Sequence, residues 1–447
     1  MKLSEVRNED VKRNKIYFSV RIKFYISLIT AFLWVIFSVF LSISWVNELA
    51  SITNVFIAVF IIGGIAYVPG FMNAFLVCSL LLDKQPKFKN DNPDYEVTIL
   101  VAAYNEENNI FNTLRYIKNQ DYRGKINTIV INNNSKDNTV NEIYRAKIEL
   151  NMNVSCIDEP NPGKFNALNT GLGSTNTKYV ITLDADTLLH EKAIRYLVSR
   201  ICSAPIEISA VAGSILVRNS RDNLLAKIQE WDYFLSIVSI KRMQGMFQGT
   251  LVAQGAFSIY NTQIVKDIGG WSDAIGEDIV LTWNMLSRNH KVYFEPLAIA
   301  FTDVPIKVIH FIRQRSRWAR GMIEGLRLVK PWKQPNIYYK FLTAIDLLIP
   351  YMDFSYTFFF IPGLILALFG KFYIVGPVIL YVLPITITTF LILFKYQKKK
   401  VFDVLNLRVR KNILALVLFI LGYQLLMSPV SLWGYYQELF KMKRIWK

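Results

Sequence analysis

The chain has 447 residues, 52% of them hydrophobic, and a formal net charge of +17 at pH 7. That length can hold more than one domain, and the three cysteines and three histidines show no disulfide or metal-ligand spacing. The charge is concentrated: residues 1–23 hold seven Lys/Arg against three acids, and residues 395–447 hold eleven against two. Both runs flank long apolar stretches, which fits the cytosolic edges of membrane helices and argues against nucleic acid as a partner.

Phe24–Val46 and Ala50–Leu82 carry no charge, and each exceeds the roughly 20 residues that span a bilayer. They predict a transmembrane hairpin over residues 24–82, with Asn47–Ile52 as an outer loop and a kink at Pro69-Gly70. The first run starts too late and runs too long for a cleavable signal peptide. Phe341–Gly370, interrupted by Asp346 and Asp353, Phe372–Phe394 and Asn412–Tyr436 predict a C-terminal membrane region within residues 331–447. Residues 1–23 then form a cytosolic basic tail, and residues 83–330 a cytosolic domain. Five full crossings would put Lys441–Lys447 outside, against the positive-inside tendency. Either Phe341–Gly370 is partly interfacial or the last segment does not fully cross.

Residues 83–330 open with a polar linker, Asp83–Tyr95, and continue as an α/β pattern. Strands are expected at Val97–Ala102, Ile126–Ile131, Val154–Ile157 and Tyr179–Leu183. Helices are expected at Asn108–Asn119, Thr139–Leu150 and from Phe165. This alternation implies a mostly parallel sheet covered by helices on both faces. Gly249–Tyr260 and Lys291–Glu295 also read as strands, Ile279–Arg288 as a helix, and residues 307–329 as an amphipathic helix. Neither GxGxxG nor GxxxxGK[ST] occurs, so dinucleotide and P-loop fingerprints are missing.

Polar residues follow each strand, so they converge on one sheet edge, where α/β folds bind ligands. The centre is Tyr179–Thr187, a buried-strand sequence ending in Asp184 and Asp186. Bare carboxylates cannot stay inside a strand core, so they belong at its mouth, where they can share a hard divalent cation. An exposed acidic turn is the alternative reading of Asp-x-Asp alone.

The ordered set Ala103-Tyr104-Asn105-Glu106, Asn133–Thr139, Gly163-Lys164-x-x-Ala167-Leu168-Asn169, Asp184-Ala185-Asp186, Glu277-Asp278 and Gln314-x-x-Arg317-Trp318 resembles the family 2 glycosyltransferases. Framed by membrane helices, it is most similar to the membrane-embedded polysaccharide synthases: poly-N-acetylglucosamine, hyaluronan, chitin and cellulose synthases. The Gly163–Asn169 and Phe294–Ala298 blocks look most like the bacterial poly-β-1,6-N-acetylglucosamine synthases. The resemblance implies a GT-A-like domain inserted between transmembrane helices, and an inverting transfer from a UDP-sugar to a β-linked polysaccharide.

It also implies roles. Asp278 is the general base, and Asp184 and Asp186 hold Mg²⁺ or Mn²⁺. Ala103, Tyr104, Glu106, Asn133, Lys164 and Asp184 bind the nucleotide sugar. Glu277, Gln314, Arg317 and Trp318 serve the acceptor and diphosphate, with the Trp318 ring as the acceptor platform. Implied partners are a UDP-sugar donor, a polysaccharide or lipid acceptor, the lipid bilayer and a small membrane accessory subunit. Two positions depart from the family: Asn133 stands where an aspartate contacts uracil, and Gly276 where threonine is usual. The first predicts relaxed nucleotide selectivity. Transfer of one sugar to a lipid is the second reading, and a membrane scaffold with an inactive domain the third.

Overall fold

The structure is a computed structural model that describes residues 18–203, 208–376 and 378–443. Residues 1–17 of the expected basic tail and residues 444–447 lie outside the described residues.

Eight strands form one sheet: β1 Val97–Ala103, β2 Ile126–Asn132, β3 Val154–Asp158, β4 Tyr179–Asp184, β5 Leu188–Leu189, β6 Ile208–Val217, β7 Phe257–Asn261 and β8 Lys291–Thr302. Their order is β3-β2-β1-β4-β7-β6-β8-β5. The first half is parallel, as β1 pairs with both β2 and β4, and β2 with β3. The second half is mixed: β7 runs antiparallel to β4 and β6, β6 is parallel to β8, and β5 is antiparallel to β8.

Strand alternation sends side chains to two cores. Val97, Ile99, Val101, Ile181 and Leu183 join one, under the helices Ile110–Lys118 and Ala193–Ser203. Leu100, Ile129, Ile131 and Val180 join the other, which includes Ala167, Leu168 and Leu172. That second core continues into the membrane helices through Phe24, Phe75 and Phe247. Phe24 meets Phe75, Phe247, Tyr338 and Phe341 edge-on, with ring centroids 5.9, 5.5, 5.0 and 5.2 Å away. The sheet is therefore bolted to the apolar helices by a shared aromatic core.

Among the described residues four helices are long and apolar enough to cross a membrane: Val20–Leu41, Val55–Leu81, Ile337–Leu368 and Ile413–Leu439. A further apolar helix spans Val378–Gln397. The hairpin differs from expectation in one respect. Asn47–Ile52 is not a loop but part of the helix Ile43–Ile52, because no Gly or Pro interrupts it. The turn falls at Thr53-Asn54, where Asn54 caps the next helix by accepting the Ile57 N–H at 2.9 Å. Pro69 does not break its helix; the backbone widens into a π-turn over Gly63–Tyr67 just before it.

The last apolar segment is tied to the rest of the chain near both of its ends. Asn412, at the start of the last apolar segment, donates to Lys227 O at 2.9 Å. At its other end Glu438 pairs with Arg327 at 2.8 Å, and Met442 O accepts from Arg320 at 2.9 Å. Both ends of this segment thus bond to the sheet domain or to the helix Val308–Leu328.

Candidate active site

At the mouth of β1, the Ala103 carbonyl accepts the Asn133 N–H at 2.8 Å. The next residue, Tyr104, is 38% exposed on the rim. Asn105 turns the chain at φ 54°, a left-handed conformation that asparagine tolerates. The β1 loop is laced to the β2 loop: Glu106 N–H donates to Thr139 Oγ1 at 2.8 Å and Lys136 N–H to Asn105 Oδ1 at 2.8 Å. These bonds fix the loop that carries Glu106, whose charge acts on Asp186.

Asn133 is buried and fully engaged. Its Nδ2 donates to Glu159 O at 3.0 Å and Asn161 O at 2.6 Å, and its Oδ1 accepts the Gly163 N–H at 2.8 Å. The Asn133 amide thus shapes the turn that delivers Lys164. Gly163 sits at φ 134°, where a side chain would be strained and would meet the Phe165 ring at 2.8 Å.

Lys164 starts its helix and reaches across the sheet edge. Its ammonium pairs with Asp184 and lies 4.0 Å from Glu277. Burial alone would depress it, but Asp184, Glu277 and Asp278 outweigh burial and hold it above the ordinary lysine range. Burial, then Asp278, pushes the Glu277 carboxyl up to about 7, against the pull of Lys164. Between these groups lies Gly255, whose added Cβ would meet Lys164 Nζ at 2.8 Å.

Glu277 and Asp278 open the helix Glu277–Ser287. Asp278 Oδ2 faces the Gly255 N–H at 3.4 Å, and Oδ1 accepts its own helix's Ile279 N–H at 2.9 Å. The unusual Gly276 has a steric reason. A Cβ there would meet Gly321 O at 2.9 Å and Gly321 Cα at 3.0 Å. Two glycines thus let the helix Glu277–Ser287 touch the backbone of the helix Val308–Leu328. Glu324 Oε2 accepts the Ile275 N–H at 2.6 Å and clasps the same joint.

The helix Val308–Leu328 carries Gln314, Arg317 and Trp318, as expected. Gln314 Oε1 is buried with no hydrogen-bond donor among the described residues. Arg317 is exposed and Trp318 is 39% exposed. The last apolar helix packs directly on this one: a Cβ at Gly434 would meet Ser316 O at 2.4 Å.

Three further residues escape sequence reasoning. Tyr233, 4% exposed, places its ring 6.2 Å from Trp318 and lies in the field of Asp184 and Asp186; burial pushes its hydroxyl up to about 12. Lys241 is buried against Gln254 Oε1, and burial drives it down to about 7 although Asp278 pulls the other way. Arg315 is 3% exposed and ion-paired with Asp232 at 2.6 Å. The available signal was charge within apolar surroundings: Lys241-Arg242 interrupts a largely apolar stretch.

By contrast, Glu295 in the Phe294–Ala298 block is structural. It pairs with Arg200 at 2.6 Å, and Arg200 also donates to the linker carbonyl of Pro86 at 2.9 Å.

No group of three or more His, Cys, Asp or Glu gathers as a metal cage among the described residues. The donor set nevertheless suits a hard cation completed by substrate oxygens. Burial, then the neighbouring Asp184 and Glu106, raises the Asp186 carboxyl to about 6. That crowding of negative charge is what a divalent ion held by Asp184 and Asp186 would relieve.

Residues 93–321 match the family described as glycosyltransferase like family 2. A poly-beta-1,6-N-acetyl-D-glucosamine synthase of Staphylococcus aureus is 36% identical over 247 residues, which cover 55% of this chain and 58% of that protein. The synthase of the same name from Staphylococcus epidermidis is 34% identical over 232 residues, covering 52% and 55%. The matched part is thus little more than half the length of these relatives. A mannosyltransferase of Pyrobaculum calidifontis, solved with GDP-Man and Mn²⁺, superposes with TM-score 0.59 at 16% identity, covering 84% of this chain and 96% of that one. That likeness concerns the fold.

Proposed function

The chain belongs to glycosyltransferase-like family 2, and on that premise we propose that it is an inverting synthase. It transfers N-acetylglucosamine from UDP-N-acetylglucosamine to a growing β-linked polysaccharide at the cytosolic membrane face and passes the chain outward. The observation that carries this reading is the junction of Gly276 with Gly321. It joins the helix bearing Asp278 to the helix bearing Trp318, which itself lies on the last apolar helix.

In the proposed step, a hydroxyl of the acceptor sugar gives its proton to Asp278. Its oxygen attacks the anomeric carbon from the side opposite UDP, and the bond from that carbon to the β-phosphate oxygen breaks. The electron pair leaves with UDP, so an α-linked donor gives a β-linked product. Lys164 meets the charge that develops on the leaving diphosphate. A divalent ion on Asp184 and Asp186, when bound, adds Lewis-acid neutralisation of the same charge. Tyr104 and Glu106 face the nucleoside end. Gln314, whose oxygen has no donor among the described residues, and Arg317 face the acceptor and diphosphate, and the Trp318 ring supports the acceptor pyranose. The cytosolic placement is supported by the basic flanks of the apolar stretches.

The test is a panel of labelled UDP-sugars supplied to membranes containing the protein and Mg²⁺ or Mn²⁺. Incorporation from UDP-N-acetylglucosamine, lost in Asp278→Asn, is expected. Incorporation that survives in Asp278→Asn would overturn the base assignment, and preference for another donor would overturn the sugar.

A further inference from the structure

The indole of Trp318 is backed by a buried cation. Arg315, one turn earlier on the same helix, sets its guanidinium carbon 4.2 Å from the Trp318 ring, 5.3 Å from Phe311 and 5.6 Å from Tyr233. A guanidinium so buried is costly unless paired. Its Nη1 meets Asp232 at 2.6 Å, while Nε and Nη2 have no hydrogen-bond acceptor among the described residues. Those two nitrogens have aromatic rings as neighbours instead, where a delocalised cation gains from ring faces.

The pair stands where four elements meet. Asp232 ends the helix Leu224–Asp232, and the backbone widens there into the π-helix Tyr233–Ile240. Tyr423 comes from the last apolar helix, also within a π-turn, Phe419–Tyr423. It packs edge-on against Phe311 at 6.2 Å and lies in the field of Asp232 and Arg315. Arg315 therefore links the exposed Trp318 ring to the membrane-side helix and to the β6–β7 connection.

We propose that Arg315 is a positioning residue: clamped by Asp232, it fixes the face of Trp318 that meets the acceptor, and it does not act on the donor. This rests on the reading of Trp318 as the acceptor platform. A lysine cannot replace it, because a point charge on a flexible stem does not stack a flat cation under the ring.

The experiment uses full-length protein in membranes, with Arg315→Met, Arg315→Lys, Asp232→Asn, Trp318→Ala and the double variant Arg315→Met/Trp318→Ala. Each is measured for UDP affinity, for transfer rate and for product length. UDP affinity within about twofold of wild type, with transfer reduced at least about tenfold and products shortened in both Arg315 variants, is expected. Asp232→Asn shifts the same quantities in the same direction. In the Trp318→Ala background, Arg315→Met should add less than about twofold, since coupled residues are non-additive.

Full rescue by Arg315→Lys, equal loss of UDP affinity, or multiplicative effects in the double variant would overturn the inference. If Trp318→Ala alone leaves transfer and product length unchanged, the platform reading fails and the inference falls with it. If Trp318→Ala impairs them and neither Arg315 variant does, only the positioning role fails.

Discussion

Replacing Asn133 by aspartate, the residue usual in the family, removes two donated hydrogen bonds and keeps one accepted bond. The carbonyls of Glu159 and Asn161 lose their donor, and a carboxylate oxygen is placed 2.6–3.0 Å from them. A buried acceptor left without a donor costs about 1–3 kcal/mol. Asn161 is exposed, so water can replace its donor; the loss at buried Glu159, with Asn133 only 5% exposed, gives a destabilisation of about 1–3 kcal/mol. For a domain of this size the thermal midpoint should fall by about 2–12 °C. The same turn delivers Lys164, so UDP affinity should drop together with stability. The assay is thermal unfolding of the detergent-purified protein, with and without UDP, beside wild type. A midpoint within about 1 °C of wild type and unchanged UDP affinity would refute the idea that this amide builds the turn.

Gly276→Thr should force the helix bearing Asp278 off the helix Val308–Leu328, and a misplacement of about 1 Å costs roughly 100-fold in transfer; a rate within twofold of wild type would count against the glycine joint. Arg242 and Asp83 are paired at 2.6 Å with side chains 6% and 1% exposed. Arg242→Leu should cost about 3–5 kcal/mol by stranding the Asp83 carboxylate, and Arg242→Leu/Asp83→Asn should recover part of it in the same unfolding assay. Lys241 titrates near 7 in the folded chain, below the ordinary value of 10.5. The unfolded chain therefore binds more protons between these values, so wild-type stability rises with pH across that window, by at most about 1.4 kcal/mol per unit. Lys241→Met should flatten that rise; an unchanged slope would contradict the burial of the charge.

Strands β1 to β4 and the helices between them were legible because turn residues bound each apolar run. The helix Val308–Leu328 was legible from its periodicity. The stretch 249–256 was misread as strand. It keeps one isolated bridge, Gly249 to Val292, and beyond it turns to side chains: Leu251 N–H donates to Gln244 Oε1 at 3.2 Å and Ala253 N–H to Thr282 Oγ1 at 3.0 Å. Only Phe257–Asn261 pairs as β7. β6 and the helices over residues 224–246 went unread, since Ile208–Val217 is apolar on both faces and shows no alternation. Lys164, Asp184 and Asp278 announce themselves as charges at the mouths or starts of elements. Asn133 and Gly276 stand out in the sequence only as departures and Arg315 not at all, because their work depends on what lies against them in space.

The most direct test of the central claim is the size of the product made by wild-type membranes from labelled UDP-N-acetylglucosamine with Mg²⁺ or Mn²⁺. The account predicts high-molecular-weight polymer whose label is absent when Asp278 is changed to Asn. A single labelled sugar on extractable lipid would contradict it.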